Sequence, residues 1–506
     1  MKRSQEQIEQ SPKETHLGKG ADNGPDRSHG NEKTRRMGTA SVPKLLLEFA
    51  IPSIAGMLVN GLYNVISAAF LGQAVGSVGL AVTTASFPIS IVFMALAMLV
   101  GNGGNALAAL RLGEGRRDDA ELTLGNTVTL AIIIALVVAV FTSIPPCMDL
   151  LLVLASASGS SISEGTRIYV WILSIGVIFQ IVGFGINNFI RTAGAPNRAL
   201  LTMVVGAVVC VILNYLFVMV LGWGIPGSAL ATVIGEGVSC VSVLWYFLFT
   251  PGVPMQIKAR CMRLDKRVVR EIVVLGTASF LLQICACISN LIVNHQLVVF
   301  GSMAAIGSQN AMAAIGVVNR LAGIAFMPII GVSVAAQPIL GFNYGAGKIA
   351  RVRKTIGFAI LYAVILGTLL WGITRLWPYE IVGLFGVTED LLDLTVFVLH
   401  VQMLLMPVIG LQVCTSNYFQ ATGQPVKSIA ISLTRQILFL IPALLLLPVV
   451  LPTVMDVDGL YALFFSWPLS DFLAVFTSLA FLIVEIRRLG RLERGEVSDR
   501  FATHAH

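Results

Sequence analysis

"NFIRTAGAP" occupies Asn188–Pro196, and "NYFQATGQP" occupies Asn417–Pro425, an offset of 417 − 188 = 229. Each reads as the end of one helix and the start of another. Gly194 and Gly423 fit a helix C-terminus, and Pro196 and Pro425 stop the helix from continuing. A simple turn accounts for either copy alone; the repetition points to duplication. "LGEGRR" from Leu112 lies over "YGAGKI" from Tyr344, an offset of 344 − 112 = 232. Gly227 lies over Gly459, again 232.

The solvent of these repeats follows from composition. The chain has 506 residues, 56% hydrophobic and 12% charged, with mean hydropathy +0.83. Soluble domains carry about a quarter charged residues, so lipid is the expected surround. No Asp, Glu, Lys, Arg or His occurs between Phe49 and Leu110, and only His295 between Glu271 and Arg320. Each gap is long enough for two membrane helices of about 20 residues. Residues 1–44 are polar and contain no apolar run; a disordered tail is expected there, not a signal peptide. The seven cysteines are scattered without a CxxC, so neither a disulfide framework nor a zinc site is indicated.

The expected fold is an all-α membrane protein of twelve transmembrane helices. Apolar segments start near Leu45, Thr84, Leu122, Thr166, Ala199 and Gly227, then near Arg267, Gln309, Lys354, Leu394, Lys427 and Gly459. Basic residues concentrate in loops after even segments, among them Arg111, Arg116 and Arg117, Lys258 to Arg267, Lys348 to Arg353, and Arg487 to Arg491. Arg167 and Arg375 are nearly alone after odd segments. The positive-inside bias puts both termini in the cytoplasm. It also accounts for the net charge of +7 without a nucleic-acid partner. Six helices repeated in one orientation make two lobes related by a pseudo-two-fold axis along the membrane normal, a transporter architecture. The expected divisions are tail 1–44, N-lobe 45–250, cytoplasmic linker 251–266, C-lobe 267–485 and cytoplasmic tail 486–506.

Several motifs carry no chemistry. "GWGIPG", Gly222–Gly227, fits GxGxxG but follows no strand, contains Pro226 and sits in a tight outer hairpin. "GNGGNA" from Gly101 supplies small residues for close helix contact. HExxH, GxSxG and a P-loop lysine are all missing, so neither an enzyme nor an ATP-driven pump is indicated, and no cofactor or metal is expected. Transport would draw on an H⁺ or Na⁺ gradient. Uncharged polar residues do fall on helix faces. Asn60, Asn64 and Ser67 are at i, i+4, i+7; Gln283, Asn290 and Asn294 are at i, i+7, i+11; Asn319 joins them from segment eight. Such stripes face a partner helix or a wet cavity, and both readings stand.

The stretches "PSIAGMLVNGLYNVISAAFLGQAVG" from Pro52, "RLGEGRRDDAELTLGN" from Arg111, "NNFIRTAGAPNRA" from Asn187 and "GSALATVIGE" from Gly227 resemble the MATE multidrug-efflux family, bacterial MepA-like branch. "PIIGVSVAAQPILGFNYGAGK" from Pro328 and "WPLSDFLA" from Trp467 carry the resemblance through the second half. It implies a monomer that rocks two lobes about a central cleft in the lipid bilayer and exports small molecules, amphipathic organic cations, by H⁺- or Na⁺-driven alternating access. It also implies a cation site in the N-lobe, with Tyr63 beside the cleft. Where related members carry an Asp, this chain has Ser67. Where they carry an Asn and, four residues on, an Asp, it has Cys210 and Asn214. The family's Thr is kept, as Thr232.

Glu236 is the one charged residue between Ala199 and Ile257. It lies four residues after Thr232, on the same helix face. Nine residues past Gly227 place it roughly 14 Å into a core ~30 Å thick. A carboxylate at that depth faces protein or a cavity and is a candidate protonation site. A structural carboxyl hydrogen-bonded to neighbours such as Asn214 is the plainer reading. Asp471 is a second intramembrane acid, equally readable as a structural partner. His295 reads as an interfacial side chain, and Glu48 as touching water or a loop arginine. Two other functions fit the architecture: a flippase of lipid-linked precursors, disfavoured by the lack of Lys and Arg in the first two helices, and a non-transporting scaffold or receptor.

Overall fold

The computed structural model describes residues 32, 34–154, 163–304, 306–385, 389–455 and 458–496. Eleven helices are long and apolar enough to cross a membrane, twelve when a pair bent by 45° counts as one span. They are α1 Val42–Val75, α2 Ser77–Gly113, α3 Arg117–Ser143, α4 Ser163–Thr192, α5 Pro196–Val220 and α6 Gly224–Phe249. The second six are α7 Lys266–Met303, α8 Ser308–Gly345, α9 Ile349–Leu376, the bent α10 Leu391–Gln402 with Met406–Ala421, α11 Pro425–Met455 and α12 Gly459–Glu493. Helices start up to seven residues earlier than expected, Ser77 against Thr84 being the largest gap. Polar first turns account for some of these, as in Arg117–Glu121 of α3 and Ile349–Lys354 of α9.

Large apolar side chains cover the outer surface. Val137 and Val140 on α3, Ile212 on α5 and Leu446 on α11 are all exposed, as lipid contact requires. Backbone groups in lipid must be satisfied within the segment, so helices are the natural outcome for these stretches.

The duplication is visible in the turns. Gly115 and Gly347 have φ 79° and 68°, and Gly194 and Gly423 have φ 79° and 75°. Glycine adopts this left-handed conformation without a Cβ penalty. Arg116 N donates to Arg111 O, and Lys348 N to Asn343 O, each 232 residues apart. Short helices Pro145–Leu154 and Pro378–Gly383, absent from the sequence reading, recur at an offset of 378 − 145 = 233. Packing is reciprocal as well: α2 lies on α7, α8 lies on α1, and α2 and α8 meet at the centre.

The halves also differ. α4 is continuous, whereas α10 breaks between Gln402 and Met406, with Pro407 at its second start. Proline has no N–H to carry the ladder across the break. π-helical turns occupy Tyr215–Val220 in α5 and Thr434–Leu440 in α11, at different depths of the repeat.

Two boundaries need correction. The expected disordered tail, 1–44, is ordered over its last residues. Residues 34–39 are helical, and Met37 is fully buried. Asn343 Nδ2 donates to Met37 O (3.0 Å), Lys348 Nζ to Gly38 O (2.9 Å), and Arg351 Nη2 to Ala40 O (2.7 Å). Residues 1–31 and 33 of that tail lie outside the described residues. At the other end, α12 runs eight residues past 485, to Glu493. The linker is likewise docked. Asn126 Nδ2 donates to Cys261 O (3.1 Å), and Thr129 Oγ1 to Met262 O (2.9 Å).

Candidate functional site

The lobes touch most closely at the face that bears both ends of the described chain. Asn102 Nδ2 donates to Ser279 Oγ (3.0 Å), Asn105 Nδ2 to Gln337 Oε1 (3.4 Å) and Arg111 Nη2 to Glu271 Oε2 (2.8 Å). Small residues permit this closeness. A Cβ on Gly103 would run into Ile272 O, and one on Gly276 into Leu99 O. Farther from that face, Gly61 of α1 still meets Met327 of α8. Beyond this level Gly316 and Gly323 of α8 face open space, and Phe87 of α2 is 61% exposed. The structure is closed at the terminal face and parted toward the opposite one.

Within the N-lobe, the residues singled out from the sequence do come together. Asn214 is fully buried on α5, at the start of the π turn. Its Nδ2 donates to Ser67 Oγ of α1 (3.1 Å) and to Cys210 O (3.0 Å), and it lies 3.5 Å from Cys210 Sγ. Ser67 Oγ is 3.8 Å from the same sulfur. Close packing of α5 on α6, with Gly235 against Cys210, brings Thr232 and Glu236 to this group. Thr232 Oγ1 donates to Ser228 O (3.0 Å).

Glu236 is half-buried and within electrostatic reach of Cys210, Tyr169 and Cys240. No protein hydrogen bond reaches its carboxylate among the described residues, so the expected bond to Asn214 is not formed. Asn214 spends its amide on Ser67 and Cys210, and its Oδ1 is buried without a donor. The pocket therefore presents a carboxylate, an unpaired amide oxygen and two hydroxyls. Tyr169 on α4 was missed from the sequence; only packing of α4 on α6 reveals it.

The other candidates separate. Asn60 and Tyr63 are half-buried on α1, and the side chain of Asn64 lies outside the described residues. On α7, Gln283 is half-buried and Asn290 and Asn294 are exposed. Asn319 Oδ1 accepts from Gln402 Nε2 (3.2 Å), so this member of the stripe joins α8 to α10. Asp471 is 2% exposed and accepts from Arg435 Nε at 2.7 Å. His295 is exposed on α7. Glu48 accepts from Arg36 Nη2 (2.9 Å). Among the described residues, no group of three His, Cys, Asp or Glu could hold a metal ion.

The family model MatE matches residues 52–216 and 285–445, in both lobes. The chain belongs to the MatE family. A MatE chain is a membrane transporter rather than an enzyme. The chain is similar to the multidrug export protein MepA of Staphylococcus haemolyticus, 24% identical over 385 residues, covering 76% of this chain and 82% of that protein. Among solved structures it is similar to the MATE multidrug transporter DinF-BH, described in complex with a dye. That likeness has 30% identity and TM-score 0.78, covering 88% of this chain and 96% of that one. It also resembles an outward-facing MATE transporter of the MOP superfamily at TM-score 0.82 and 21% identity, covering 91% and 98%.

Sequence reading missed two further polar groups of this MatE chain. Arg435 and Gln436 sit in the π turn of α11, and Gln436 Oε1 accepts from Ser289 Oγ of α7 (3.5 Å). π turns recur at functional sites, and in each lobe one borders the buried polar side chains. At the terminal face, Glu485 is fully buried and bonded to Lys427 Nζ (2.7 Å), Arg488 Nη1 (2.8 Å), Gln424 Nε2 (3.0 Å) and Tyr418 Oη (3.3 Å). Four donors on one carboxylate make a structural lock of the α10–α11 turn.

Proposed function

We propose that this protein is a secondary multidrug exporter of the bacterial cytoplasmic membrane, with both termini in the cytoplasm. A proton or sodium gradient drives it, and the two lobes rock between outward- and inward-facing states. The observation that carries the coupling is the N-lobe pocket: Glu236 beside Cys210, with the donorless Asn214 Oδ1 and the hydroxyls of Ser67 and Thr232. A neutral carboxyl suits the pocket when no ion is bound. An ionised one, with three neutral oxygens nearby, suits a hard monovalent cation. Either exchange changes the charge of a group packed between α5 and α6, so ion and substrate states are linked through that packing. Multidrug export by MepA and the dye bound to DinF-BH support small molecules as cargo. The closed terminal face and parted opposite face support an outward-facing state.

Proteoliposome flux under separate ΔpH and Na⁺ gradients tests this reading. Glu236→Gln keeps shape but cannot titrate, and gradient-driven flux should be lost while the protein stays inserted and monodisperse. Normal flux in this variant under both gradients would reduce Glu236 to a structural role and move the coupling group to the C-lobe.

A further inference from the structure

Arg320 lies on α8, twelve residues past Ser308 and hence roughly 18 Å along the helix. α8 has 38 residues and is about 57 Å long, so a hydrocarbon core ~30 Å thick centred on it begins roughly 13 Å along, and Arg320 lies inside that edge. Its side chain is exposed, and it makes no ion pair or hydrogen bond among the described residues.

An unpaired guanidinium at this depth cannot face lipid without a large cost. The packing shows where it faces instead. α8 is surrounded by α1, α2, α7, α9 and α10, and 61% of its most apolar window is buried, against at most 44% in the other spans. The face of α8 that bears Arg320 also carries Met327, seven residues on, which meets Gly61 of α1 in the other lobe, so exposure on this face is exposure to the space between the lobes. Gly316 and Gly323, one turn to either side of Arg320, meet nothing within 4 Å. Arg320 therefore projects into the cleft where the lobes have parted.

The repeat identifies the facing wall. Subtracting 232 from 320 gives Pro88 on α2, a helix likewise enclosed by α1, α3, α4, α7 and α8. Phe87 beside it is 61% exposed. One wall thus offers a cation with five N–H donors, the other an aromatic ring, and neither is satisfied by the protein.

We propose that Arg320 and Phe87 form a recognition site in the cleft for an aromatic organic anion, the guanidinium taking a carboxylate or sulfonate and the ring taking the aromatic body. Guanidinium matches such oxyanions through paired charge-assisted hydrogen bonds. This assigns the cargo a charge opposite to the organic cations the family resemblance implies. It rests on the transporter reading only in taking the cleft as the cargo's path.

The test uses two dyes with one xanthene skeleton and opposite charge, fluorescein and rhodamine 6G, titrated by anisotropy against the purified full-length chain. Wild type should bind fluorescein. Arg320→Gln should weaken that binding by roughly ten- to a hundredfold, the range for losing a hydrogen bond to a charged group. Arg320→Lys should retain part of it, and neither variant should weaken rhodamine 6G. A second variant leaves Arg320 in place: Gly316→Asp puts a carboxylate one turn away in open space and should shift preference from fluorescein to rhodamine 6G. Wild type that does not bind fluorescein, or fluorescein affinity unchanged in both Arg320→Gln and Gly316→Asp, overturns the proposal. Gradient-driven dye flux reports separately on the transporter reading. Fluorescein held through Arg320 but moved under no gradient would sink that reading and leave this one standing.

Discussion

Gly113 of α2 and Gly345 of α8 meet across the lobe interface in a reciprocal contact. A Cβ on Gly113 would run into Phe342 O, and one on Gly345 into Leu110 O. The arithmetic is the symmetry: 345 − 113 = 342 − 110 = 232. Asn105 and Gln337, hydrogen-bonded to each other, are also 232 apart. The pseudo-two-fold axis passes between these pairs.

A side chain at this crossing should therefore push the lobes apart. Gly345→Leu forces α2 and α8 to separate, and overpacking of this kind costs about 1–3 kcal/mol. The expected result is a lower thermal midpoint in detergent. Maleimide labelling of Ala109→Cys, in a background without the native cysteines, should rise, because Ala109 is fully buried against Gly341. Unchanged labelling would mean the axis lies elsewhere.

The Arg435–Asp471 pair makes a different prediction. Removing one partner of a buried pair costs about 3–5 kcal/mol, because the other charge is left without compensation. Arg435 keeps 22% side-chain exposure, so the lower end of that range is expected for Asp471→Leu. Replacing both residues by Leu should recover most of the loss. Thermal unfolding of the three variants checks this. A double variant no more stable than Asp471→Leu would show that Asp471 contributes through something other than Arg435.

Membrane orientation can be read at two turns. Gly347 lies in the turn between α8 and α9, and Met303, 75% exposed, ends α7 at the opposite face. In intact cells an impermeant maleimide should label Met303→Cys and spare Gly347→Cys. The reverse pattern would invert the proposed orientation. Ser158, another natural position for such a probe, lies outside the described residues.

Much of this was legible because lipid leaves few choices. An uncharged stretch such as 49–110 can cross only as helix, and Gly194/Pro196 against Gly423/Pro425 marks the same joint twice. The grouping of Ser67, Cys210, Asn214, Thr232 and Glu236 was legible through the family's pattern, since these residues come from three helices that no local spacing relates. Arg435 is a lone charge in an apolar run, as Glu236 is, but its role is set by a partner outside that run. Its partner is 36 residues away and is found only when α11 packs on α12. Arg320 escaped for a similar reason: it reads as the end of an uncharged stretch until Gly316 and Gly323 are seen to open onto the cleft. The docking of residues 34–41 was hidden by their polarity. They are held by backbone carbonyls given to Asn343, Lys348 and Arg351, a use of the chain that side-chain character does not announce.

That docking sets a limit on motion. Ala40 is held by the C-lobe through Arg351, and the N-lobe helix α1 begins at Val42. Only Ser41 lies between the grip and the helix, a leash of two peptide steps, about 7 Å at full stretch. Ser41 is already extended, at φ −57° and ψ 124°, so the leash has little slack, and parting the lobes at the terminal face requires either that Arg351 let go or that the first turn of α1 unravel. The segment from Met37 to Ser41 therefore ties the N-lobe to the C-lobe at that face.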